Sequence, residues 1–123
     1  LSVRNIKFIG MRDDIRPILK RFDIYVCSSE YESSPLSVWE AMAMAKPIVS
    51  TNVGDVPLYV QDGMSGFIVP VGDYNEMSIK IGELINSESK RKKFGKISRQ
   101  IAIDKLDIKK CAEMHVKAYK GLL

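Results

Sequence analysis

Short apolar runs alternate, over the first 70 residues, with stretches whose apolar positions have helical spacing. Apolar runs bounded by turn residues are typical of strands that are covered on both faces. We therefore predict strands at 6–9, 24–27, 47–51 and 66–69. Between them, the spacing predicts helices at 15–22, 36–45 and 56–60.

From Tyr74 onwards the pattern is helical throughout. Strands that alternate with helices predict an α/β fold, here a three-layer Rossmann-like domain with a parallel sheet and a helical C-terminal tail. We expect a single domain over residues 1–123, with an α/β core at 1–86 and C-terminal helices at 87–123.

The composition, with 46% hydrophobic and 28% charged residues, is that of an ordinary globular protein, and no apolar run is long enough to cross a bilayer. Cys27 lies in an apolar run and Cys111 in a helical pattern, and neither has a Cys or His partner at ligand spacing. A disulfide scaffold or a metal site is therefore not expected, and a reducing, cytoplasmic location is predicted. His115 is expected to be a solvated helical residue.

The charge is distributed unevenly. Residues 1–88 carry 8 basic and 12 acidic side chains, whereas residues 89–123 carry 11 basic and 3 acidic ones. The densest basic segment, residues 90–99, is interpreted as a solvated helix face. The alternative is peripheral contact with anionic lipid at the inner face of the membrane. Nucleic-acid binding is not expected, because the segment has no interleaved aromatic residues and no known motif.

Candidate chemistry lies after the second predicted strand, because ligands of parallel sheets bind at the carboxyl ends of the strands. There a small-residue loop leads into a helix, with Ser34 or Pro35 near the cap. The amides of Leu36, Ser37 and Val38 should then point out unpaired. Such a helix N-terminus is a phosphate site, although an ordinary strand-to-helix connection with a serine cap fits the sequence equally well.

Two carboxylates accompany this loop. Glu40 lies in a helix that is apolar nearly all round, so the helix should be mostly buried and the carboxylate paired or turned to a polar cleft. It could hold both hydroxyls of a ribose, or it could be a structural carboxylate that meets a cation or a backbone donor. Glu32 could hold a second polyol such as a hexose. Taken only as paired acids the two would suggest hydrolysis, but the place of Glu40 on the helix favours binding.

The spacing Glu32-x7-Glu40, with the sequence around it, resembles the EX7E signature of the retaining glycosyltransferase family 4, which has the GT-B fold. The resemblance extends in order through flanking segments that correspond to family elements. These segments are residues 6–10, 23–26, 53–57, 62–69 and 72–73. Such an ordered series is far more specific than the spacing of the two glutamates alone.

The resemblance implies the C-terminal, donor-binding half of a GT-B enzyme, truncated at its N-terminus; the chain starts at Leu1 and not at a Met. Such an enzyme is a hexosyltransferase that moves a sugar from a UDP- or GDP-sugar to a glycan or lipid-linked acceptor with retention, in cell-surface polysaccharide biosynthesis. The acceptor would bind a missing N-terminal domain, and the Arg and Lys that clamp the diphosphate would lie upstream of Leu1. This chain alone is therefore expected to be inactive.

The resemblance also assigns roles to residues. Glu32 would be the catalytic residue beside the donor sugar, and Glu40 would bind the ribose. No metal or cofactor is expected. The phosphate would lie at Ser34, Pro35, Leu36 and Ser37, and the base at Gly10, Met11 and Arg12.

Two differences from the family pattern concern the loop itself: Ser33 and Ser34 stand where glycines are usual. The competing hypothesis is a non-catalytic or regulatory Rossmann-like module that binds a nucleotide or sugar-nucleotide. In that module Glu32 and Glu40 would be dispensable.

Overall fold

The computed structural model describes residues 5–122 and shows a three-stranded parallel sheet between helices. The strand order is the same in space as along the chain, and each strand pairs in parallel with the next. The predicted α/β class with a parallel sheet is therefore confirmed, and all three strands end at the same edge. The strands are β1 (Tyr25–Cys27), β2 (Ile48–Thr51) and β3 (Gly66–Val69).

Six helices surround this sheet in the described part of the chain, close to where the pattern predicted them. Side chains of Asp73, Ser87 and Asp107 cap α4, α5 and α6 by accepting hydrogen bonds from first-turn amides. The helices are α1 (Arg16–Leu19), α2 (Leu36–Ala43), α3 (Val56–Tyr59), α4 (Tyr74–Ile85), α5 (Glu88–Lys105) and α6 (Ile108–Lys120).

The sheet is buried on both faces. Ile48 and Val49 are both fully buried, but they belong to separate apolar clusters because successive side chains of a strand point to opposite faces. Met42 of α2 lies in the cluster of Ile48, and Leu84 of α4 lies in that of Val49. Burying a side chain of this size contributes about 1.5–3 kcal/mol, so both layers stabilise the sheet.

The basic segment 90–99 makes contacts within the chain. The guanidinium of Arg91 donates to carbonyls at the end of α4, and that of Arg99 donates to the Ala43 carbonyl at the end of α2. Lys90 and Lys92 each form an ion pair with a glutamate. These contacts favour the interpretation as a structural, solvated face, and contact with lipid stays a prediction. Across residues 5–122, no helix has both the length and the apolar character needed to cross a membrane.

The N-terminal segment (residues 5–15) differs from the prediction, because it contains neither helix nor strand. The strand predicted at 6–9 is therefore wrong, and Ile6 and Phe8 are 62% and 93% exposed. An isolated run of apolar residues cannot form a strand without a neighbour to take its backbone hydrogen bonds. Among the described residues no strand pairs with the outer edge of β1, which lies at the border of the sheet.

Candidate functional site

The loop between β1 and α2, which we call the Glu32 loop (residues 28–35), lies at the carboxyl edge of the sheet. The connections that follow β2 and β3 leave from the same edge, because the three strands are parallel. The predicted phosphate and sugar residues are therefore placed where α/β domains bind their ligands.

The N-terminus of α2 leaves two backbone amides without an acceptor. Pro35 is the N-cap, and its carbonyl accepts from the amides of Val38 at 3.0 Å and Trp39 at 3.3 Å. The prediction of an unpaired Val38 amide is therefore wrong. No acceptor for the amides of Leu36 and Ser37 is found between residues 5 and 122, so these two donors point out of the helix end as a phosphate site requires.

Ser34 has a packing role. Its Oγ accepts a hydrogen bond from Nε1 of Trp39 at 3.1 Å, and it does not cap α2. The Trp39 ring is 8% exposed and meets the Tyr59 ring edge-on at a centroid distance of 5.0 Å. Ser34 therefore ties the Glu32 loop to the core through its oxygen, and no described residue accepts its hydroxyl hydrogen.

Glu40 is exposed, in contrast to the expectation that α2 is buried on most sides. Val38, Ala41 and Met42 are fully buried, whereas Leu36 and Glu40 lie one turn apart on an outward stripe. The Glu40 side chain makes no hydrogen bond or ion pair within the described chain. The alternative of a structural carboxylate held by a cation therefore finds no support in these contacts, and both oxygens are accessible to a ligand.

A cleft of about 450 Å³, which we call the Glu40 cleft, separates α2 from the start of α1. It is lined by residues 12–16 and Glu40. Within it Arg16 donates to both carboxylate oxygens of Asp14, at 2.8 and 2.9 Å, which lowers the pKa of Asp14. The structure therefore brings the predicted base-pocket residue Arg12 together with the predicted ribose residue Glu40.

The other predicted residues lie around this cleft without lining it. Gly10 has a positive φ of 65° and Met11 is 96% exposed; both precede Arg12 in the N-terminal segment. Leu36 lines a separate, largely apolar depression of about 400 Å³ between α2 and the α5–α6 corner, which Glu40 also borders. Glu40 thus stands between two depressions.

Glu32 is exposed and its carboxylate is held by a neighbour. The hydroxyl of Ser29 donates to Oε1 of Glu32 at 2.8 Å. The hydroxyl of Thr51, at the end of β2, donates to the Ser29 carbonyl at 2.6 Å. The sequence did not single out Ser29 or Thr51. The sequence feature that could have identified them is a hydroxyl residue at the end of a buried apolar strand.

Gly54 brings the β2–α3 connection against the backbone of the Glu32 loop. It has a positive φ of 48°, and a Cβ there would overlap the Ser33 carbonyl and lie 2.5 Å from the Glu32 carbonyl oxygen. The Asp55 amide donates to the Ser33 carbonyl at 2.8 Å. Only a glycine allows this approach, so Gly54 packs against the loop that carries Glu32.

Tyr25 is a further residue of the site that the sequence did not reveal. Its half-buried phenol has a raised pKa, chiefly because of burial, with the Ser37 side chain opposing the shift and Cys27, Glu40 and Glu32 adding to it. Tyr25 lies beside the candidate site, in the strand that leads into the Glu32 loop. The sequence showed an aromatic residue in an apolar strand, which is ordinarily a core residue.

The chain matches known glycosyltransferases over most of its length. The profile of the family "Glycosyl transferases group 1" matches residues 1–87. The N-acetyl-alpha-D-glucosaminyl L-malate synthase of Bacillus anthracis is 27% identical over 118 residues, which are 96% of this chain and 31% of that protein. The poly(ribitol-phosphate) alpha-N-acetylglucosaminyltransferase of Staphylococcus aureus is 28% identical over 119 residues, which are 96% of this chain and 24% of that protein.

The fold matches a solved structure closely. The Anabaena protein HepE, in complex with UDP-glucose, superposes with a TM-score of 0.90 over 97% of this chain and 33% of that chain. The sequence identity of 23% means that this likeness concerns the fold. The chain thus spans about a third or less of the length of each of these three proteins.

Proposed function

The chain belongs to the glycosyl transferases group 1 family, and we propose that it is the donor-binding part of a larger enzyme. That enzyme would transfer a sugar from a nucleotide-sugar to a glycan or lipid-linked acceptor with retained configuration, in cell-surface polysaccharide biosynthesis. The short span of the chain against its relatives supports a further, acceptor-binding domain outside it. Retention rests on the resemblance of residues 32–40 to the EX7E signature.

The observation that carries the proposal is the exposed side chain of Glu40, which no described residue contacts by a hydrogen bond or ion pair, beside the two amides at the start of α2. Glu40 follows Leu36 by four residues, which is about 6 Å along a helix axis. A nucleotide could therefore place its diphosphate at the amides of Leu36 and Ser37 and its ribose hydroxyls at Glu40. The base would then extend into the Glu40 cleft towards Arg12.

The chemical contribution of this site is electrostatic. When the bond between the sugar and the diphosphate breaks, negative charge develops on the diphosphate, and amides at a helix N-terminus stabilise it. Glu32, as the catalytic residue, would accept hydrogen bonds from the hydroxyls of the sugar. We propose no metal or cofactor, and the nucleotide-sugar is the substrate.

The nucleotide is UDP or GDP. UDP is favoured because a solved protein of the same fold contains UDP-glucose. The Glu40 cleft would distinguish the two bases, because Arg12, which lines it, is able to donate a hydrogen bond to a base oxygen. A titration series therefore has to include both.

Ligand-observed NMR of this chain with UDP, GDP, ADP and CDP tests the proposal. We expect one nucleotide to bind with a dissociation constant on the order of millimolar, about −4 kcal/mol. Glu40→Ala should abolish the signal because the ribose hydroxyls lose their acceptor. Glu30→Ala is the matched control, since Glu30 is an exposed carboxylate of the same loop that lies outside the Glu40 cleft.

Two outcomes would contradict the proposal. Binding that survives Glu40→Ala would remove the ribose role of that residue. Failure of all four nucleotides to bind both this chain and the full-length protein would contradict nucleotide binding altogether and would favour a purely regulatory module.

A further inference from the structure

The Glu32 carboxylate is held before any ligand is present, and we propose that Ser29 is the positioning residue that fixes it for the donor sugar. This inference rests on the proposed function, because it assumes that Glu32 contacts the sugar. It adds to that function a residue which sets the orientation of the catalytic carboxylate without touching the substrate.

The first support is the anchoring of the Ser29 backbone to the sheet. Thr51 is 4% exposed, and its hydroxyl donates to the carbonyls of Ser29 at 2.6 Å and Cys27 at 3.4 Å. Cys27 is the last residue of β1 and pairs with Ser50 of β2. The backbone of Ser29, which carries the hydroxyl, is therefore held in place by the sheet.

The second support is the anchoring of the loop at its other side. The Asp55 amide holds the Ser33 carbonyl, and the close approach of Gly54 blocks a shift of the backbone at Glu32 and Ser33. The main chain on either side of the Glu32 side chain is thus fixed to the end of β2 and to the β2–α3 connection. The remaining freedom is rotation of the side chain, and the 2.8 Å hydrogen bond from Ser29 restricts that rotation.

The third support is the direction of the hydrogen bond. The Cys27 thiol lies 3.6 Å behind the Ser29 Oγ and is placed to donate to it, which leaves the hydroxyl hydrogen for Glu32. Ser29 bonds Oε1, and no described residue bonds the second oxygen of Glu32. A carboxylate with one oxygen held and one open can accept a sugar hydroxyl without first losing rotational freedom.

The test measures how much the sugar adds to nucleotide affinity in the full-length protein, by isothermal titration with UDP against UDP-glucose and with GDP against GDP-mannose. Ser29→Ala should lower the advantage of the nucleotide-sugar over the nucleotide about fivefold, which corresponds to one net hydrogen bond. The affinity for the bare nucleotide should stay within about twofold, because the phosphate and ribose contacts lie on α2. Ser29→Thr should restore the advantage.

Ser28→Ala is the matched control, since Ser28 is an exposed serine one residue earlier whose hydroxyl has no hydrogen bond to any described residue. A double-mutant cycle completes the test: in a Glu32→Gln background, Ser29→Ala should have little further effect, because both changes remove one contact. A purely structural role of Ser29 would instead add its effect in both backgrounds and would also weaken the bare nucleotide.

The outcomes distinguish the proposed function from the positioning role of Ser29. If no nucleotide binds the full-length protein, or if Glu32→Gln leaves the sugar advantage unchanged, the proposed function is wrong at this site and the role of Ser29 falls with it. If Glu32→Gln removes the advantage while Ser29→Ala does not, the proposed function stands and the positioning role is overturned.

Discussion

The two sides of the candidate site are built in different ways. On one side, the Glu32 loop is fixed to β2 through Thr51 and to the β2–α3 connection through Gly54. On the other side, the N-terminal segment has no regular structure, and its side chains Phe8 and Met11 are more than 90% exposed. One half of the candidate site is thus part of the packed domain, whereas the other half lies along its border.

This difference has a physical consequence for ligand binding. Ordering a residue costs about 1–2 kcal/mol of backbone entropy, and the hydrogen bonds from Thr51 and Asp55 offset that cost in the folded Glu32 loop. Contacts to phosphate and sugar should therefore be nearly preformed. The exposed side chains of Met11 and Arg12 would lose rotamer freedom when they contact the base.

The largest expected effect comes from a pair of glycine substitutions that compares the two sides directly. Gly54→Ala would place a Cβ against the Ser33 carbonyl at a positive φ, so we expect a loss of about 3 kcal/mol or more in the free energy of unfolding. Gly10 also has a positive φ, of 65°, but a Cβ there would meet nothing within 4 Å. Gly10→Ala should therefore cost about 1 kcal/mol, which is the backbone strain alone.

Urea denaturation of the two variants beside the unmodified chain measures both losses. Equal losses would contradict the difference between the two sides, because they would mean that the Glu32 loop accommodates the added methyl group as readily as the N-terminal segment does. A loss at Gly54 that is accompanied by a changed denaturant slope would point to a rearranged loop.

A smaller effect is expected at Thr51, which tests the hydrogen bond behind Ser29. Thr51→Val keeps the shape of the side chain but leaves the Ser29 carbonyl without its donor, so the free energy of unfolding should fall by about 1–2 kcal/mol. Thr51→Ser keeps the hydroxyl and is the control. Proteolysis confined to the Glu32 loop of Thr51→Val, monitored by mass spectrometry, would show that the lost stability is local; a loss equal in both variants would assign it to packing.

The sequence predicted the elements that contribute to the apolar core, because their apolar runs are set by the residues that cover them. β1, β2, β3 and α2 all lie within two residues of their predicted limits. The strand at 6–9 failed for a reason that its own residues do not show: strand formation depends on a neighbour, and the described chain supplies none at the border of β1. The division of the domain at residue 86 stays a prediction.

The candidate site was predictable to the extent that it depends on a local motif. The two glutamates, the helix start and Arg12 were found because their spacing and flanking residues are readable along the chain. Ser29, Thr51 and Gly54 act through contacts between separate connections of the sheet, so their partners follow only from the three-dimensional arrangement. The exposure of Glu40 also follows only from the structure, because the sequence of an apolar helix does not show which side of the helix lacks a packing neighbour.

The smallest expected effect concerns the pH dependence at Tyr25, in the strand that leads into the Glu32 loop. Burial raises the pKa of this phenol above its ordinary value of 10.0, and Glu40 and Glu32 raise it further. The folded protein therefore binds the phenol proton more tightly than the unfolded chain. The stability that results is fully present below pH 10 and is lost as the pH rises through the folded pKa.

Tyr25→Phe should consequently gain stability relative to the unmodified chain as the pH rises above 10, as measured by urea denaturation at each pH. Tyr119→Phe, an exposed tyrosine of α6, is the control and should show no such gain. A gain of the same size in both variants would mean that Tyr25 is as solvated as the surface of α6. The packed side of the candidate site would then not include β1.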